Sequence, residues 1–230
     1  MKTLKTSLMI VMFTFMATVL YAQTSETRNV GSFNAVKTGG SWNVVLEKGD
    51  REEVRLETKN FDLSKVITEV KNNALHINLE KGNYKNVNFT VYVIYRDLES
   101  IKSGGSGSIR SNTDLVADKL EISMSGSGDG RFQNIRADKL IVSLSGSGNI
   151  DIAGGSVGSL TVKQNGSGNF RGLELQAQEA DVNKSGSGNT SLTANKALAV
   201  RSSGSGNVEY RGNPEQSDVR FSGSGRAVKK

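Results

Sequence analysis

Residues 140–170 run LIVSLSGSGNIDIAGGSVGSLTVKQNGSGNF. Two Gly-Ser-Gly tripeptides, at 146–148 and 166–168, stand 20 residues apart, and each follows an alternating segment and precedes a shorter one. The same tripeptide recurs at 105–107, 126–128, 186–188, 204–206 and 223–225, with steps of 21, 20, 20, 20, 18 and 19 residues between first glycines. Self-similarity at such a period is the signature of a solenoid, in which each repeat stacks on its neighbour.

The flanks repeat with the corner. Four residues before each first glycine stand Ile101, Ile122, Val142, Val162, Val182, Val200 and Val219, a column that is β-branched throughout. Six before stand Leu120, Leu140, Leu160, Ala180 and Leu198. Two before stand Met124, Leu144 and Phe221, with Gln164 and Lys184 as interruptions. This is period-two alternation, so a strand with one inward face leads into each corner. Four residues after the first glycine stand Ile109, Ile150, Phe170 and Val208, and six after stand Phe132, Ile152, Leu192 and Tyr210, which predicts a second, shorter strand. The corner glycines supply positive φ and close backbone approach. Asp129, Asn149, Asn169, Asn189 and Asn207 follow the corners and suit an Asn ladder along the stack. Six full coils and a truncated seventh, at about 4.8 Å per stacked strand, predict a rod about 30 Å long.

Upstream, VKTGGSWNV at 36–44 aligns with IKSGGSGSI at 101–109, with Trp42 standing where Gly107 stands. This predicts an early coil with one corner glycine replaced. Between the two copies lie the strand candidates 44–46, 54–58, 74–79 and 87–94. Turn signals at 48–50, 72–73 and 81–83 separate them, and 61–70 reads as a helical turn or a further strand. Antiparallel pairing is expected here. The fold class that follows is all-β, a parallel β-solenoid of ~20-residue coils with a partly antiparallel N-terminal β cap. Its organisation is a leader at 1–22, a cap and early coil at 23–100 and a repeat solenoid at 101–230.

The leader rests on Lys2 and Lys5, an apolar run from Leu8 to Leu20 and small-residue chemistry around Ala22, the layout of a signal peptide cleaved after Ala22. Its loss would lower the formal charge from +6 to +4, with no integral membrane span left. Location then narrows to the periplasm, the cell surface or the medium. The chain has no cysteine, which excludes a lipoprotein anchor, disulfides, thiolate metal sites and cysteine nucleophiles. Basic residues are scattered without an aromatic-interleaved stripe, so nucleic acid is not an expected partner.

In combination, RNVGSFNAVKTGGSWNVVLEKGD (28–50), VITEVKNNALHINL (66–79), LESIKSGGSGSI (98–109) and the repeated SGSGN resemble the "putative auto-transporter adhesin, head GIN domain" family of exported Bacteroidota proteins. The resemblance covers nearly all of the chain after the leader. It implies a β-solenoid fold, a surface or envelope location and adhesion; it carries no binding residues. Trp42 and the shortened last coils depart from the pattern at the ends.

Catalytic chemistries find little support. None of the Gly-Ser-Gly serines stands in the elbow pattern GxSxG, and the only histidine, His76, alternates with Leu75, Ile77 and Leu79 as an outward strand residue. A calcium roll needs a nine-residue period with an aspartate in each turn, whereas only Asp129 is acidic at the corners. No phosphate-cradling motif opens a helix. A polysaccharide-acting solenoid enzyme would need clustered carboxylates. The repeated Ala-Asp-Lys-Leu, with Asp118 and Lys119 stacked on Asp138 and Lys139, reads instead as a solvated face. The expectation is therefore a non-enzymatic module with no catalytic residue, metal site or cofactor. Its partner would be a glycan or an extracellular protein, bound on the outer strand faces or the N-terminal excursion. The alternative is an envelope scaffold that self-associates as a homo-oligomer.

Overall fold

The computed structural model describes residues 24–230. The expected leader and its cut after Ala22 lie outside the described residues. Alternation and turn chemistry produce the strands in chain order: β1 Thr24–Asn29, β2 Ala35–Thr38, β3 Asn43–Lys48, β4 Glu53–Thr58, β5 Val66–Lys71, β6 Ala74–Leu79 and β7 Phe89–Tyr95. The repeat region follows with β8 Ser100–Gly105, β9 Ile109–Ser111, β10 Leu115–Gly126, β11 Gly130–Phe132, β12 Ile135–Gly146, β13 Ile150–Ile152 and β14 Gly155–Gly166. It closes with β15 Phe170–Gly186, β16 Thr190–Ser202, β17 Val208–Arg211, β18 Gln216–Phe221 and β19 Ala227–Lys229.

Parallel pairing stacks these strands as a β-solenoid. The β-branched column stays in register from coil to coil: Val36 on Ile101, Ile101 on Ile122, Ile122 on Val142, Val142 on Val162, Val162 on Val182 and Val182 on Val200. All of these residues are fully buried. Register matters because a slip of one residue would turn the whole inward set to solvent. Burying each such side chain contributes roughly 1.5–3 kcal/mol before chain entropy is counted.

Each coil has three strand segments, one more than the alternation predicted. Before Leu120 and Leu140 lie Leu115–Ala117 and Ile135–Ala137, paired in register. Asp118 and Asp138 fall outside the ladder, and two consecutive outward residues, Asp118 and Lys119, mark a bend within β10. The coil is thus roughly triangular, with a long face (Leu120–Gly126 and equivalents), a short face (Gly130–Phe132 and equivalents) and a linking face. The 18-residue step is absorbed at bends. Gly172 pairs with Leu192, Gln176 with Thr193 and Glu179 with Ala197, so β16 drops residues at one corner and regains one at the next without disturbing the faces.

The corners are bonded coil to coil. The Gly126 carbonyl accepts the N–H groups of Ser147 (2.9 Å) and Gly148 (3.2 Å), and the Gly146 carbonyl those of Ser167 (2.9 Å) and Gly168 (3.0 Å). The two glycines answer different demands. Gly146 has φ +129°, a region that side chains with a Cβ rarely occupy. A Cβ on Gly148 would lie 2.0 Å from the Gly128 carbonyl oxygen of the adjacent coil. The Asn ladder forms beside them. The backbone N–H of Asn149 donates to Asp129 Oδ1 (3.0 Å), that of Asn169 to Asn149 Oδ1 (3.2 Å), that of Asn189 to Asn169 Oδ1 (2.8 Å) and that of Asn207 to Asn189 Oδ1 (2.8 Å). The Asn149 N–H, the first of these donors, holds the Asp129 carboxyl below the usual carboxylate range. The motif serines join this spine through their backbone N–H groups; their side chains are exposed.

Gln164 and Lys184 do not turn outward. Both are buried, because the strand's phase leaves them no other direction. Gln164 Nε2 donates to the Gly168 carbonyl (2.6 Å), and Thr190 Oγ1 donates to Gln164 Oε1. Lys184 Nζ donates to the carbonyls of Gly188 (2.6 Å) and Gly206 (2.8 Å). The polar residue two before a corner glycine therefore fastens that corner from inside.

The N-terminal region holds a finding that the linear order conceals. β6 stacks in parallel on β2 and β7 on β3, so 74–95 forms a coil outside the earlier 35–48 coil. β5 then pairs antiparallel with β6, β4 with β7, and β1 with β4. Asn72 (φ 50°) and Asn73 (φ 57°) form the two-residue hairpin turn between β5 and β6. The segment 61–70 holds both a 3-10 turn at Leu63–Lys65 and the start of β5. Trp42 occupies its corner because the chain beneath it, between β6 and β7, detours through 80–88 and makes no Gly-Ser-Gly corner. Its ring covers Gly40 and stacks on Phe89 at 5.1 Å, and its Nε1 donates to Thr38 Oγ1 (2.9 Å).

Two outcomes follow for stability. Gly148→Ala should lose about 1–3 kcal/mol to overpacking, a drop of roughly 2–12 °C in Tm, while Ser147→Ala leaves Tm unchanged in a thermal melt. Burial lowers the Lys184 pKa, so above its folded value the native chain has released a proton that the unfolded chain keeps up to about pH 10.4. The unfolded state then binds more protons, and stability rises with pH through that window. Lys184→Met should remove this rise and be no less stable than wild type at pH 7, measured by denaturant titration across pH.

Candidate ligand-binding groove

The long face places outward residues in straight rows, because every coil presents the same positions in register. Three before the corner glycine the row is Lys37, Lys102, Ser123, Ser143, Lys163, Asn183, Arg201 and Arg220. One before it the row is short-chained, with Gly104, Ser125, Ser145, Asn165 and Ser185 in register and Ser203 and Ser222 at the same position in the last coils. Long cations beside short hydroxyls leave a trough between the rows, running along the rod axis. It holds two adjoining clefts. One of 320 Å³ extends from Lys37 to Ser145, and one of 620 Å³ from Lys163 to Ser222. They adjoin where Ser143 meets Lys163 and Ser145 meets Asn165.

The electrostatics are graded across the face. On the far side of the basic row lie Glu121, Asp181 and Asp218. Lys102 pairs with Glu121 (3.3 Å), Arg201 with Asp181 and Asp218 (both 3.7 Å), and Arg220 with Asp218 (2.8 Å). These pairs hold the cations upright as a wall; at such exposure each is worth at most about 1 kcal/mol. Among the described residues, Lys37 and Lys163 have no carboxylate within ion-pair distance. The opposite wall offers hydroxyl and amide groups, with Ser185 Oγ donating to Asn165 Oδ1 (2.7 Å). Half-buried Phe221 closes the C-terminal end. The trough can donate and accept hydrogen bonds along a rigid line, which suits an extended polyhydroxylated chain.

The sequence-level candidates fall elsewhere. His76 is half-buried on β6, in register with Lys37 and Glu69. Asp118, Lys119 and Asp138 line a shallow cleft of 730 Å³ at the bend below the linking face, with Lys48, Asp97 and Arg136, a mixed-charge rim. Among the described residues, no group of three or more His, Asp or Glu side chains is placed to hold a metal ion. The row of cations escaped the sequence reading, although the column three before each glycine was available to show it.

Comparison places this geometry among known folds. The family model described as "Putative auto-transporter adhesin, head GIN domain" matches residues 32–214. A crystal structure from Bacteroides fragilis, described as a "putative adhesin", is similar with a TM-score of 0.84 at 20% identity, covering 91% of this chain and 97% of that one. One from Parabacteroides distasonis, also described as a "putative adhesin", gives a TM-score of 0.70 at 23% identity, with 91% and 97% covered. A second P. distasonis structure, described as a "putative lipid binding protein", gives 0.67 at 23% identity, with 90% and 96% covered. At these identities the likeness concerns the fold. Among curated proteins none matches in sequence. No helix among the described residues is long and apolar enough to cross a membrane.

Proposed function

The chain belongs to the "putative auto-transporter adhesin, head GIN domain" family, and on that premise we propose that it is an exported, non-enzymatic binding module that lays an extended glycan chain along the trough of its long face. The observation that carries this reading is the continuity of the two clefts along one pair of rows, from Lys37 to Ser222. A rigid solenoid holds donors at one fixed spacing, so the binding side needs no ordering when the ligand docks. Export would use the leader at 1–22, cut after Ala22. Residues 23–100 would serve as the cap and early coil, and 101–230 as the presenting rod. The motif serines contribute no base-assisted nucleophile to this account, since His76 is the chain's one histidine and lies on the outermost parallel coil.

A glycan array probed with the chain should yield polysaccharide ligands. Ser145→Arg, which fills the trough midway, should weaken binding at least about tenfold, the equivalent of 1.4 kcal/mol. Ser156→Arg on the linking face should leave it unchanged. An array with no glycan bound, or equal binding by both variants, would overturn the reading.

One further observation favours self-association. In the last coil Val219 continues the core column yet is 38% exposed, and β18 pairs only with β16 among the described strands. An open strand edge above an uncovered core residue is a template for a second chain. Light scattering over a concentration series should show a larger species in wild type that Val219→Lys returns to monomer. A wild-type monomer at every concentration would dismiss this second reading.

A further inference from the structure

The short face carries its own outward row: Tyr92, Val45, Arg110, Arg131, Asp151 and Arg171, each in register with the next. Around Asp151 the signs alternate, from Arg131 through Asp151 to Arg171, and Arg171 pairs with Asp151 at 2.9 Å. Arg110 and Arg131 break that order, because two like charges lie directly opposite on adjacent strands, an arrangement that costs stability unless something negative joins it. Arg131 has Asp129 at 3.1 Å. Arg110, exposed, has no carboxylate within ion-pair distance among the described residues.

A pocket sits at this point. Val45 is short and stands in a row of long side chains, so it forms a floor, only 1% exposed although its position faces outward. Above it a cavity of 320 Å³ is lined by Asn43, Thr90, Tyr92, Ser108, Arg110 and Arg131. The Asn43 Oδ1 accepts the Ser108 N–H (3.3 Å), which leaves the Asn43 amide hydrogens to donate. The Arg55 guanidinium lies 4.2 Å over the Tyr92 ring and pairs with Glu57 (3.2 Å), so it steadies the ring and is not the free cation of the pocket. Burial, then the charge of Glu57 and the hydrogen bond that the phenol gives its carboxylate, raise the Tyr92 pKa, so the phenol keeps its proton on Glu57 and offers its oxygen to the pocket as an acceptor. The volume falls at the lower end of small-molecule sites, enough for about one sugar ring.

We infer that this pocket, at the junction of cap and rod, binds the anionic group of a single acidic sugar residue. Arg110 and Arg131 hold its oxyanion, and the hydroxyl and amide groups of Tyr92, Thr90, Ser108 and Asn43 meet its ring hydroxyls. Two guanidiniums one strand apart can share the oxygens of a planar carboxylate or of a sulfate ester. The oxyanion supplies the missing negative charge of the row. This site lies on a different face from the trough, and it stands or falls independently of it.

Calorimetric titration of the full chain with glucuronate, glucose 6-sulfate, glucose and inorganic sulfate tests it. Glucuronate or glucose 6-sulfate should bind at least about tenfold more tightly than glucose, and whichever binds more tightly identifies the source of the oxyanion. Arg110→Ala and Arg131→Ala should each weaken that binding at least about tenfold, whereas Arg171→Ala, in the same row but paired with Asp151, should leave it unchanged. Removing an exposed like charge does not threaten the fold, so unliganded Arg110→Ala should melt no lower than wild type, and the saccharide should raise Tm in wild type only. Binding of inorganic sulfate without either acidic sugar would overturn the saccharide assignment. Equal affinity for glucose, or undiminished affinity in Arg110→Ala, would overturn the site.

Discussion

Everything in this rod depends on a carbonyl at the corner of each coil. The first glycine of a Gly-Ser-Gly triplet turns its C=O along the axis, where it accepts two N–H groups from the next triplet, as Gly126 does from Ser147 and Gly148. That contact brings corner backbones so close that a Cβ on the second glycine would overlap the neighbouring carbonyl. The constraint fixes residue type at two positions per coil, sets the register of every strand on either side, and so fixes which residues form rows on the outer faces. Between corners the loops can lose or gain residues, as β15 and β16 do around Gln176 and Thr193.

The ends follow from the same rule. Where a corner has no counterpart beneath it, a side chain is allowed, and Trp42 fills the space with an aromatic stack on Phe89 that continues to Phe61. Antiparallel β5, β4 and β1 then cover the edges of the outermost parallel coil. The other end has no such cover. There the buried column reaches Val219 and stops, half exposed.

The sequence made the stack legible because its signals are local and periodic: the triplet, the β-branched column, the Asn row and the concealed copy at 36–44 all have counterparts in register. Three things lay beyond it. The linking face escaped because Asp118 and Lys119 both point outward, so the alternation changes phase at a bend that has no glycine or proline to announce it. The coil of β6 and β7 escaped because it closes through a detour, so nothing in its sequence echoes the repeat. Gln164 and Lys184 read as interruptions because polarity alone does not tell whether a side chain turns out or finds a carbonyl inside. The candidate sites are relations between residues about 20 apart, such as Ser143 with Lys163 or Arg110 with Arg131, and they become visible only when the columns are laid side by side.

A solenoid of this kind offers function a ruled surface. Small residues in one row and long cations in the next give the long face its trough, and a valine among long neighbours gives the short face its pocket. Both rest on the corner bonds holding every coil in register. Amide hydrogen exchange resolved by residue tests that most directly. The account predicts that the N–H groups of Ser127, Gly128, Ser147, Gly148, Ser167 and Gly168, beside exposed serine side chains, are protected as strongly as those of the buried column at Val142 and Val162. Fast exchange at the triplets beside a slow core would contradict it, because the corners would then be loops draped over a sheet rather than the bonds that set its register.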